Sequence, residues 1–205
     1  MKTDYLFLGD SITDSNHLWM PETGNLGDGY VAMLAKQLGP DAQITNKGID
    51  GFTVAALLER LNRGFLKGHP DVISLMIGIN DIGVALNTDV TLNDLRFAEH
   101  YREVLMRLHD SGAAVLCSGP FIFPHPQKYQ LWIPYVLELE QIMGDICASL
   151  SLPFVPLHAY MISLVPNEDY DAVTVDGIHP TTYGHEKLTD CLLPYLLDLA
   201  RTHSV

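Results

Sequence analysis

Five short runs of apolar residues recur along the chain, and a longer stretch with helical spacing follows each of them. The third run (DVISLMIG) and the fourth (AAVLCSG) are almost continuously apolar, which is typical of strands covered on both faces of a parallel sheet. The predicted strands are Tyr5–Gly9, Gln43–Gly48, Asp71–Gly78, Ala113–Gly119 and Pro153–His158. The predicted helices are Tyr30–Leu38, Thr53–Phe65, Leu92–His109, Gln130–Leu150 and Thr181–Ala200.

The alternation of strands and helices predicts the fold class. It favours an α/β protein, a three-layer α/β/α sandwich with a five-stranded parallel sheet in flavodoxin-like order. Thr53 and Thr91 stand where helix N-caps are expected. Glycines stand at three expected helix ends, namely Gly39, Gly64 and Gly112. No repeat, low-complexity tract or linker composition interrupts residues 1–205, so we expect a single domain.

Composition and charge exclude several classes of function. The 205 residues are 47% hydrophobic and 18% charged, the composition of a folded globular protein. With 25 acidic and 12 basic residues, the net charge is −13. The sequence has no basic patch of the kind that binds a phosphate backbone or an anionic membrane surface. We therefore expect no nucleic-acid partner and no membrane insertion.

The cysteines and the N-terminus indicate the compartment. The three cysteines (Cys117, Cys147 and Cys191) are an odd number without CxxC spacing, which is typical of buried thiols in a reducing environment. The N-terminal residues carry one lysine and then a strand-like run, with no small-residue cleavage site. Apolar runs such as Val72–Ile79 are too short to span a bilayer. We expect a cytoplasmic protein.

Polar and glycine residues cluster at the ends of the predicted strands. In an open parallel sheet, ligands bind at the carboxyl ends of the strands. The residues found there are Gly9–Ser11, Asn46–Gly48, Gly78–Asp81, Ser118–Pro120 and, in a loop after the fifth strand, Asp176–His179. The patterning of a hydrophobic core does not require this clustering, so these residues are candidates for a functional site.

Ser11, His179 and Asp176 have the chemistry of a nucleophile, its base and an orienting acid. A serine attacks well only when a base takes its proton, and that base is usually a histidine oriented by a carboxylate. Asp176 lies three residues before His179, and Pro180 biases His179 toward an extended conformation. The carboxylate and the imidazole are therefore expected to meet within one turn of chain. Taken alone, Ser11 is more simply explained as the N-cap of the next helix.

Three groups at the strand ends are candidates for an oxyanion hole, which acyl transfer requires. Ser11 offers a backbone N–H at the start of a helix, where such groups are unpaired. Gly48 offers a backbone N–H without a side chain, and Asn80 offers a side-chain amide. Each has a structural alternative, since Gly48 also suits a plain turn and Asn80 suits an Asx-turn.

Four short blocks resemble a known family. In chain order they are GDSI, NKGIDG, GIND and DGIH, and they resemble the blocks of the SGNH hydrolases, also called GDSL esterases. The resemblance implies that Ser11 is the nucleophile, that Asp176 and His179 complete a triad, and that Gly48 and Asn80 bind the oxyanion. It also implies the SGNH hydrolase fold and a serine esterase that works through an acyl-enzyme.

A finer resemblance concerns the substrate. The stretches GDSITD, GDGYVAML and SLMIGIND resemble bacterial carbohydrate acetylesterases and lysophospholipase-like members. The first group often has a tryptophan and an arginine after the third block, where this chain has Ile82-Gly83-Val84. The resemblance implies acetyl or other short-acyl esters of carbohydrates or small alcohols. The alternative is a lysophospholipase or thioesterase acting on longer acyl chains.

Five further residues are candidates for binding such a small-molecule ester, and they are Asp10, His17, Trp19, His125 and Trp132. The loops Asn16–Asp28 and Phe121–Ile133 are expected to set specificity. Most of the other histidines, among them His185, are expected at the surface.

Other classes of function remain possible at this stage. The D-x-x-H pair also occurs in metal sites, but no further ligand has suitable spacing, so we expect no metal. No phosphate-cradling glycine motif occurs, so we expect no cofactor. A non-catalytic binding module on the same fold and a metal-dependent phosphoester hydrolase are the alternatives from other classes. Relatives in the family suggest a homo-oligomer.

Overall fold

A parallel sheet of five strands forms the centre of the structure, a computed structural model that describes residues 2–19, 26–165, 167 and 169–203. The strands are β1 (Thr3–Gly9), β2 (Ala42–Gly48), β3 (Val72–Met76), β4 (Ala114–Ser118) and β5 (Phe154–Val155). Their order in the sheet is β2-β1-β3-β4-β5, and each neighbouring pair is parallel. The predicted flavodoxin-like order is thus confirmed.

Helices cover both faces of this sheet. They are α1 (Ser11–Asp14), α2 (Tyr30–Leu38), α3 (Val54–Asn62), α4 (Ile79–Thr88), α5 (Phe97–His109), α6 (Ile133–Ser149), α7 (His158–Ser163) and α8 (Thr182–His203). Buried residues of α3, α4, α5 and α6 share one hydrophobic cluster, and those of α2, α7 and α8 share another. The described chain is therefore the three-layer sandwich that the sequence predicts.

The side chains of β1 show why the sheet is covered on both faces. Leu6 and Leu8 belong to one hydrophobic cluster, whereas Tyr5 and Phe7 belong to the other. Alternate residues of a strand point to opposite faces, so a run without polar residues supplies both cores. Burial of each large apolar side chain contributes about 1.5–3 kcal/mol to folding.

Several helices differ from the sequence prediction, among them the short α7, which was not predicted because the fifth strand was expected to extend to His158. Helix α4 was not predicted, because the apolar run of β3 continues into Ile79–Thr88 with only a short break at Gly78, whose φ is 126°. Helix α5 begins at Phe97 and not at Leu92. Thr91 and Asp94 instead bond each other reciprocally in a separate turn, and Arg96 has a φ of 53°, which interrupts a continuous helix.

The register of the sheet aligns the strand ends. Gly9 of β1 pairs with Gly48 of β2 and Met76 of β3, and Met76 pairs with Ser118 of β4. The loops that follow these strands therefore meet at one edge of the sheet. In the part of the chain that the structure describes, no helix combines the length and the apolar character needed to cross a bilayer.

Candidate active site

Ser11 is the first residue of α1, and Asp10 alone separates it from the end of β1 at Gly9. The N-cap of this helix is Asp10, whose carboxylate accepts the N–H of Ile12 at 3.0 Å. The chain turns tightly here because Gly9 has no side chain: a methyl group there would lie 2.4 Å from the carbonyl oxygen of Met76. Capping is thus done by the acid, and the hydroxyl of Ser11 is left for another partner.

That partner is His179. The Oγ of Ser11 lies 2.9 Å from Nε2 of His179, across 168 positions of sequence. The other ring nitrogen, Nδ1, lies 2.7 Å from Oδ2 of Asp176. The second carboxylate oxygen, Oδ1, accepts the backbone N–H groups of Ile178 at 2.9 Å and of His179 at 2.8 Å. Hydroxyl, imidazole and carboxylate therefore form one continuous chain of hydrogen bonds.

The surroundings of Asp176 keep it ionised. Partial burial alone would raise the pKa of Asp176, but its bonds to the backbone and ring of His179 and to Ile178 N–H lower the pKa below its ordinary value. An ionised carboxylate accepts a hydrogen bond from the Nδ1–H group of His179. Nε2 is then the unprotonated nitrogen, so Ser11 donates to it, which is the arrangement that a general base requires.

A short loop fixes the position of His179. The buried hydroxyl of Thr174 donates to the carbonyl of His179 and accepts the N–H of Gly177, both at 2.9 Å. Gly177 has a φ of 98°, and a methyl group there would lie 2.4 Å from the carbonyl oxygen of His125. Only glycine fits this corner, and the corner holds the carboxylate and the imidazole on the same side of the loop.

Asn80 lies in the first turn of α4, near the end of β3. Its Nδ2 donates one hydrogen bond to the carbonyl of Phe52 at 3.0 Å, which orients the amide. A side-chain amide has two N–H groups, so one remains for a ligand. The neighbouring Asp81 accepts the N–H of Val54 at 3.1–3.2 Å and ties α4 to the start of α3.

Gly48 does not have the arrangement expected of an oxyanion donor. Its N–H already donates to Oδ1 of Asn46 at 2.9 Å. A methyl group at Gly48 would lie 2.2 Å from the backbone nitrogen of Asp14. The position requires glycine because α1 packs against it, and the prediction for Gly48 is corrected accordingly. Nδ2 of Asn46 in turn holds the carbonyl of Thr13 at 2.7 Å, so Asn46 anchors the helix that carries Ser11.

Two buried carboxylic acids lie beneath these groups. Burial raises the pKa of Asp10 to about 7, although its bond to Ile12 N–H and the nearby His179 lower it. Burial likewise raises the pKa of Asp81 to about 7 against the lowering effect of its bond to Val54 N–H. The charge of Asp10 also raises the pKa of Asp81, and that of Asp50 raises the pKa of Asp10. Both carboxyl groups are therefore mostly protonated below neutral pH.

A cavity of about 570 Å³ opens beside Ser11 and His179. Its other lining residues are Ile12, Asp14, Ser15, Asn16, Trp19, Asp28, Asp50, Val175, Pro180, Thr181, Thr182 and His185. Carboxylates and hydroxyls dominate this lining, and none of these residues is lysine or arginine. In the described ranges, no group of three or more His, Cys, Asp and Glu side chains is arranged to hold a metal ion.

Comparison with known proteins gives the family. The GDSL-like lipase/acylhydrolase family matches residues 7–187, which is most of the chain. The chain belongs to this family. It is also 43% identical over 210 residues to an acetylxylan esterase from Geobacillus stearothermophilus, across 92% of this chain and 91% of that protein. The protein is accordingly a GDSL-type serine ester hydrolase.

Solved structures of similar proteins share the fold of this GDSL hydrolase. A catalytic mutant of an acetylxylan esterase from Geobacillus stearothermophilus superposes with a TM-score of 0.80, covering 96% of this chain and 95% of that chain. A GDSL-like lipase from Parabacteroides merdae superposes with a TM-score of 0.84, covering 97% and 96%. Both are 24% identical to this chain over the superposed residues, so these likenesses concern the fold.

Of the five substrate-binding candidates in this GDSL hydrolase, Trp19 alone lines the cavity at Ser11. Its side chain is 81% exposed, which leaves the indole face open to a ligand. Asp10 is 1% exposed and is enclosed beneath α1. His17 is buried against the carboxylate of Asp14 and lines a different cavity, next to Leu18. Asp10 and His17 are therefore corrected to structural roles.

The other two candidates also lie away from this cavity. His125 stacks on Tyr170, with ring centroids 5.8 Å apart, and lines a separate cavity behind Asp176. Trp132 packs edge-on against Tyr129 and over Gly83, where a methyl group would lie 3.2 Å from the indole. Of the predicted specificity loop Asn16–Asp28, residues 20–25 lie outside the described residues.

Sequence reasoning missed several residues of the cavity, among them Ser15, Asp50 and His185, whereas Asp28 lies in the predicted specificity loop. His185 was expected at the surface, but it is 8% exposed. Its place six residues after His179 is a weak signal, because a position in the first turn of a helix can face either solvent or the core. Asp50 lies in a turn after β2, and aspartates also occur at many solvent-exposed turns without a function.

Proposed function

We propose that this GDSL hydrolase removes short acyl groups, above all acetyl, from hydroxyl-rich alcohols such as carbohydrates. The observation that carries the proposal is the chain of hydrogen bonds from Ser11 through His179 to Asp176, opening on a polar cavity. The likeness to an acetylxylan esterase over nearly the whole chain supports the acetyl group and the carbohydrate.

The proposed reaction has two steps. Ser11 Oγ attacks the ester carbonyl while Nε2 of His179 takes its proton, and the ester bond then breaks as His179 gives that proton to the leaving alcohol. Water then attacks the acyl-serine while His179 takes its proton; the bond between the acyl group and Ser11 Oγ breaks, His179 returns the proton to Oγ, and the carboxylic acid leaves. Asp176 holds the imidazole and stabilises its protonated form at 2.7 Å.

The oxyanion is bound by three N–H donors in this proposal. Ser11 supplies a backbone N–H from the first turn of α1, and Asn80 supplies the amide N–H that Phe52 does not use. Gly51 takes the role first expected of Gly48. The N–H of Gly51 has no acceptor among the described residues, and the preceding residue, Asp50, lines the cavity. Such donors stabilise the charge that develops in the transition state.

The cavity supports a neutral, hydroxylated leaving group. It is lined by His179, which must protonate the leaving oxygen, and by the acids Asp28 and Asp50. Carboxylates accept hydrogen bonds from sugar hydroxyls and repel anions. The exposed indole of Trp19 offers an apolar face to the C–H side of a sugar ring. Phospholipid and acyl-thioester substrates with anionic groups fit this lining poorly.

Hydrolysis of a series of 4-nitrophenyl esters, from acetyl to long acyl chains, tests the proposal. The wild type is expected to cleave the acetyl ester fastest, with kcat/KM falling as the chain lengthens, and Ser11→Ala is expected to lose nearly all turnover. Ser163→Ala is the matched control, since this exposed serine bonds only the carbonyl of Tyr160. An optimum at long chains would favour the lysophospholipase or thioesterase alternative, and full activity of Ser11→Ala would reject the mechanism.

A further inference from the structure

His185 is a buried titratable residue of the cavity that the proposed reaction does not use. It lies in the first turn of α8, six residues after His179. Its side chain is 8% exposed, and it lines the same cavity as Ser11 and His179. Both ring nitrogens have partners, and each partner belongs to a different element.

The two partners fix the tautomer of His185. Nδ1 accepts the backbone N–H of Tyr30 at 3.2 Å, the first residue of α2. The N-cap of α2 is Gly29, which has no side chain to satisfy that N–H, so the imidazole caps the helix. Because Nδ1 accepts, the proton of the neutral ring lies on Nε2. Nε2 is 3.2 Å from Oγ of Ser15 and donates to it.

Ser15 links this imidazole to the nucleophile. It follows α1 directly, and its N–H donates to the carbonyl of Ser11 at 2.9 Å. Its backbone is left-handed, with a φ of 41°, a conformation that few residues other than glycine adopt. Observed strain of this kind persists only where neighbouring contacts hold it in place. The bond from His185 is one such contact, and it holds the carboxyl end of α1.

The neighbouring chain is shaped to let these groups meet. A methyl group at Gly29 would lie 2.2 Å from Oγ of Ser15 and 2.9 Å from Cε1 of His185. The ring of Tyr30 lies parallel to that of His185, with centroids 6.4 Å apart, and its hydroxyl bonds Oγ1 of Thr13 at 2.9 Å. His185 and Tyr30 therefore hold α1 at two points.

We propose that His185 is a positioning residue: its neutral imidazole ties the helix that carries Ser11 to the helix that follows His179, and so keeps Ser11 Oγ in reach of the base. The inference rests on the proposed function, in which Ser11 and His179 are the reacting pair. The 2.9 Å approach between them joins α1 to the loop that precedes α8, and the bond from His185 to Ser15 connects the end of α1 to the first turn of α8.

The charge state of the ring is suited to this role. The pKa of His185 is lowered to about 4, mainly by burial; the nearby Asp28 raises the pKa, and His179 lowers it. The ring therefore stays neutral over the range in which esterases are assayed. A protonated ring would have no acceptor for the N–H of Tyr30.

Two amide variants separate the two bonds of His185. In His185→Gln the amide reaches the position of Nε2 and can still donate to Ser15, but the acceptor for Tyr30 N–H is lost. In His185→Asn the amide oxygen takes the place of Nδ1 and can still accept from Tyr30, but the donor to Ser15 is lost. The proposal predicts that the Gln variant keeps more activity, whereas the Asn variant keeps more stability.

The readout is kcat per reactive Ser11, with reactive sites counted by a fluorophosphonate that labels the nucleophile. We expect His185→Asn to lower kcat on 4-nitrophenyl acetate on the order of tenfold with KM little changed, since misplacement of a reacting group costs rate more than binding. Ser15→Ala is expected to lower kcat similarly. The two changes together are expected to cost no more than either alone, because they break the same bond.

His158→Asn is the matched control. His158 is a buried histidine whose Nδ1 also accepts a backbone N–H, from Ile122 at 3.4 Å, but it does not line the cavity. Its kcat is expected to equal that of the wild type. An unchanged kcat in His185→Asn, a Gln variant less active than the Asn variant, or additive losses with Ser15→Ala would each overturn the inference. Failure of the wild type itself to react with the fluorophosphonate would instead overturn the proposed function.

Discussion

Replacement of Asp176 by asparagine tests the hydrogen-bond chain of the active site in detail. Oδ1 of Asp176 accepts two backbone N–H groups, from Ile178 and His179, while Oδ2 faces Nδ1 of the imidazole. In Asp176→Asn the amide oxygen is expected to stay with the two backbone donors. The NH₂ group then faces Nδ1, which forces the ring proton onto Nε2. A histidine in that tautomer cannot accept the proton of Ser11.

The size of the loss follows from two contributions. Turning the amide over breaks two hydrogen bonds worth about 1 kcal/mol each, so the active tautomer is populated in roughly one molecule in thirty. Loss of the carboxylate also removes its attraction to the protonated imidazole. The two side chains are 46% and 44% exposed, so solvent screens this attraction. At an effective dielectric constant of about 40 and a separation of ~4 Å it is about 2 kcal/mol, another factor of roughly thirty.

The expected kcat of Asp176→Asn is therefore on the order of 10³ below that of the wild type. Asp176→Ala loses the charge but leaves the imidazole free to choose its tautomer, so it is expected to retain about tenfold more activity than the Asn variant. The assay is kcat on 4-nitrophenyl acetate per fluorophosphonate-reactive site, with thermal unfolding to verify that both variants fold. An Asn variant as active as the Ala variant, or more active, would refute the reasoning.

Changes at the oxyanion hole, at Gly48 and at a buried acid give three further predictions. Asn80→Ala is expected to lower kcat by about 10²–10³ with a small change in KM, and an equal rise in KM with unchanged kcat would contradict this. Gly48→Ala is expected to fold poorly, because its methyl group would lie 2.2 Å from the Asp14 nitrogen, and a wild-type Tm would reject that packing. The raised pKa of Asp81 contributes stability that is complete below pH ~4 and is lost as pH rises through about 7. The free energy of unfolding is measured in urea at pH 5 and pH 8, and in the wild type it is expected to be lower at pH 8. In Asp81→Asn this decrease should be smaller by on the order of 2 kcal/mol, since the amide does not titrate and its oxygen can still accept the N–H of Val54. An equal decrease in the two proteins would contradict this.

The fold was predictable because the apolar runs of β1, β3 and β4 are almost uninterrupted. The continuous apolar runs Tyr5–Gly9 and Val72–Met76 each require cover on both faces of the sheet. Helix α4 was missed because Ile79–Thr88 follows β3 with a glycine N-cap and no side-chain capping bond. A short glycine break between two apolar segments does not reveal that the period has changed from two to 3.6 residues.

The sequence allowed prediction of those residues of the candidate site that lie in short, recognisable blocks. Ser11, Asp176 and His179 each stand in a short block, and the structure brings the three side chains within hydrogen-bonding distance. The sequence could not show the role of Gly48, because glycine occurs both where a backbone N–H binds a ligand and where two backbone segments pack closely. The role of His185 could not be predicted either, since its hydrogen-bond partner Tyr30 lies 155 positions away in sequence.

The question of whether Ser11 forms an acyl-enzyme is answered most directly by rapid-quench mass spectrometry. The wild type is mixed with an excess of an acetyl ester and quenched in acid within the first turnover. The protein is then digested, and the mass of the peptide that contains Ser11 is measured. The proposed mechanism predicts one added acetyl group on that peptide and a burst of alcohol equal to the concentration of enzyme. Steady turnover without any acetyl group on Ser11, together with undiminished activity of Ser11→Ala, would contradict it.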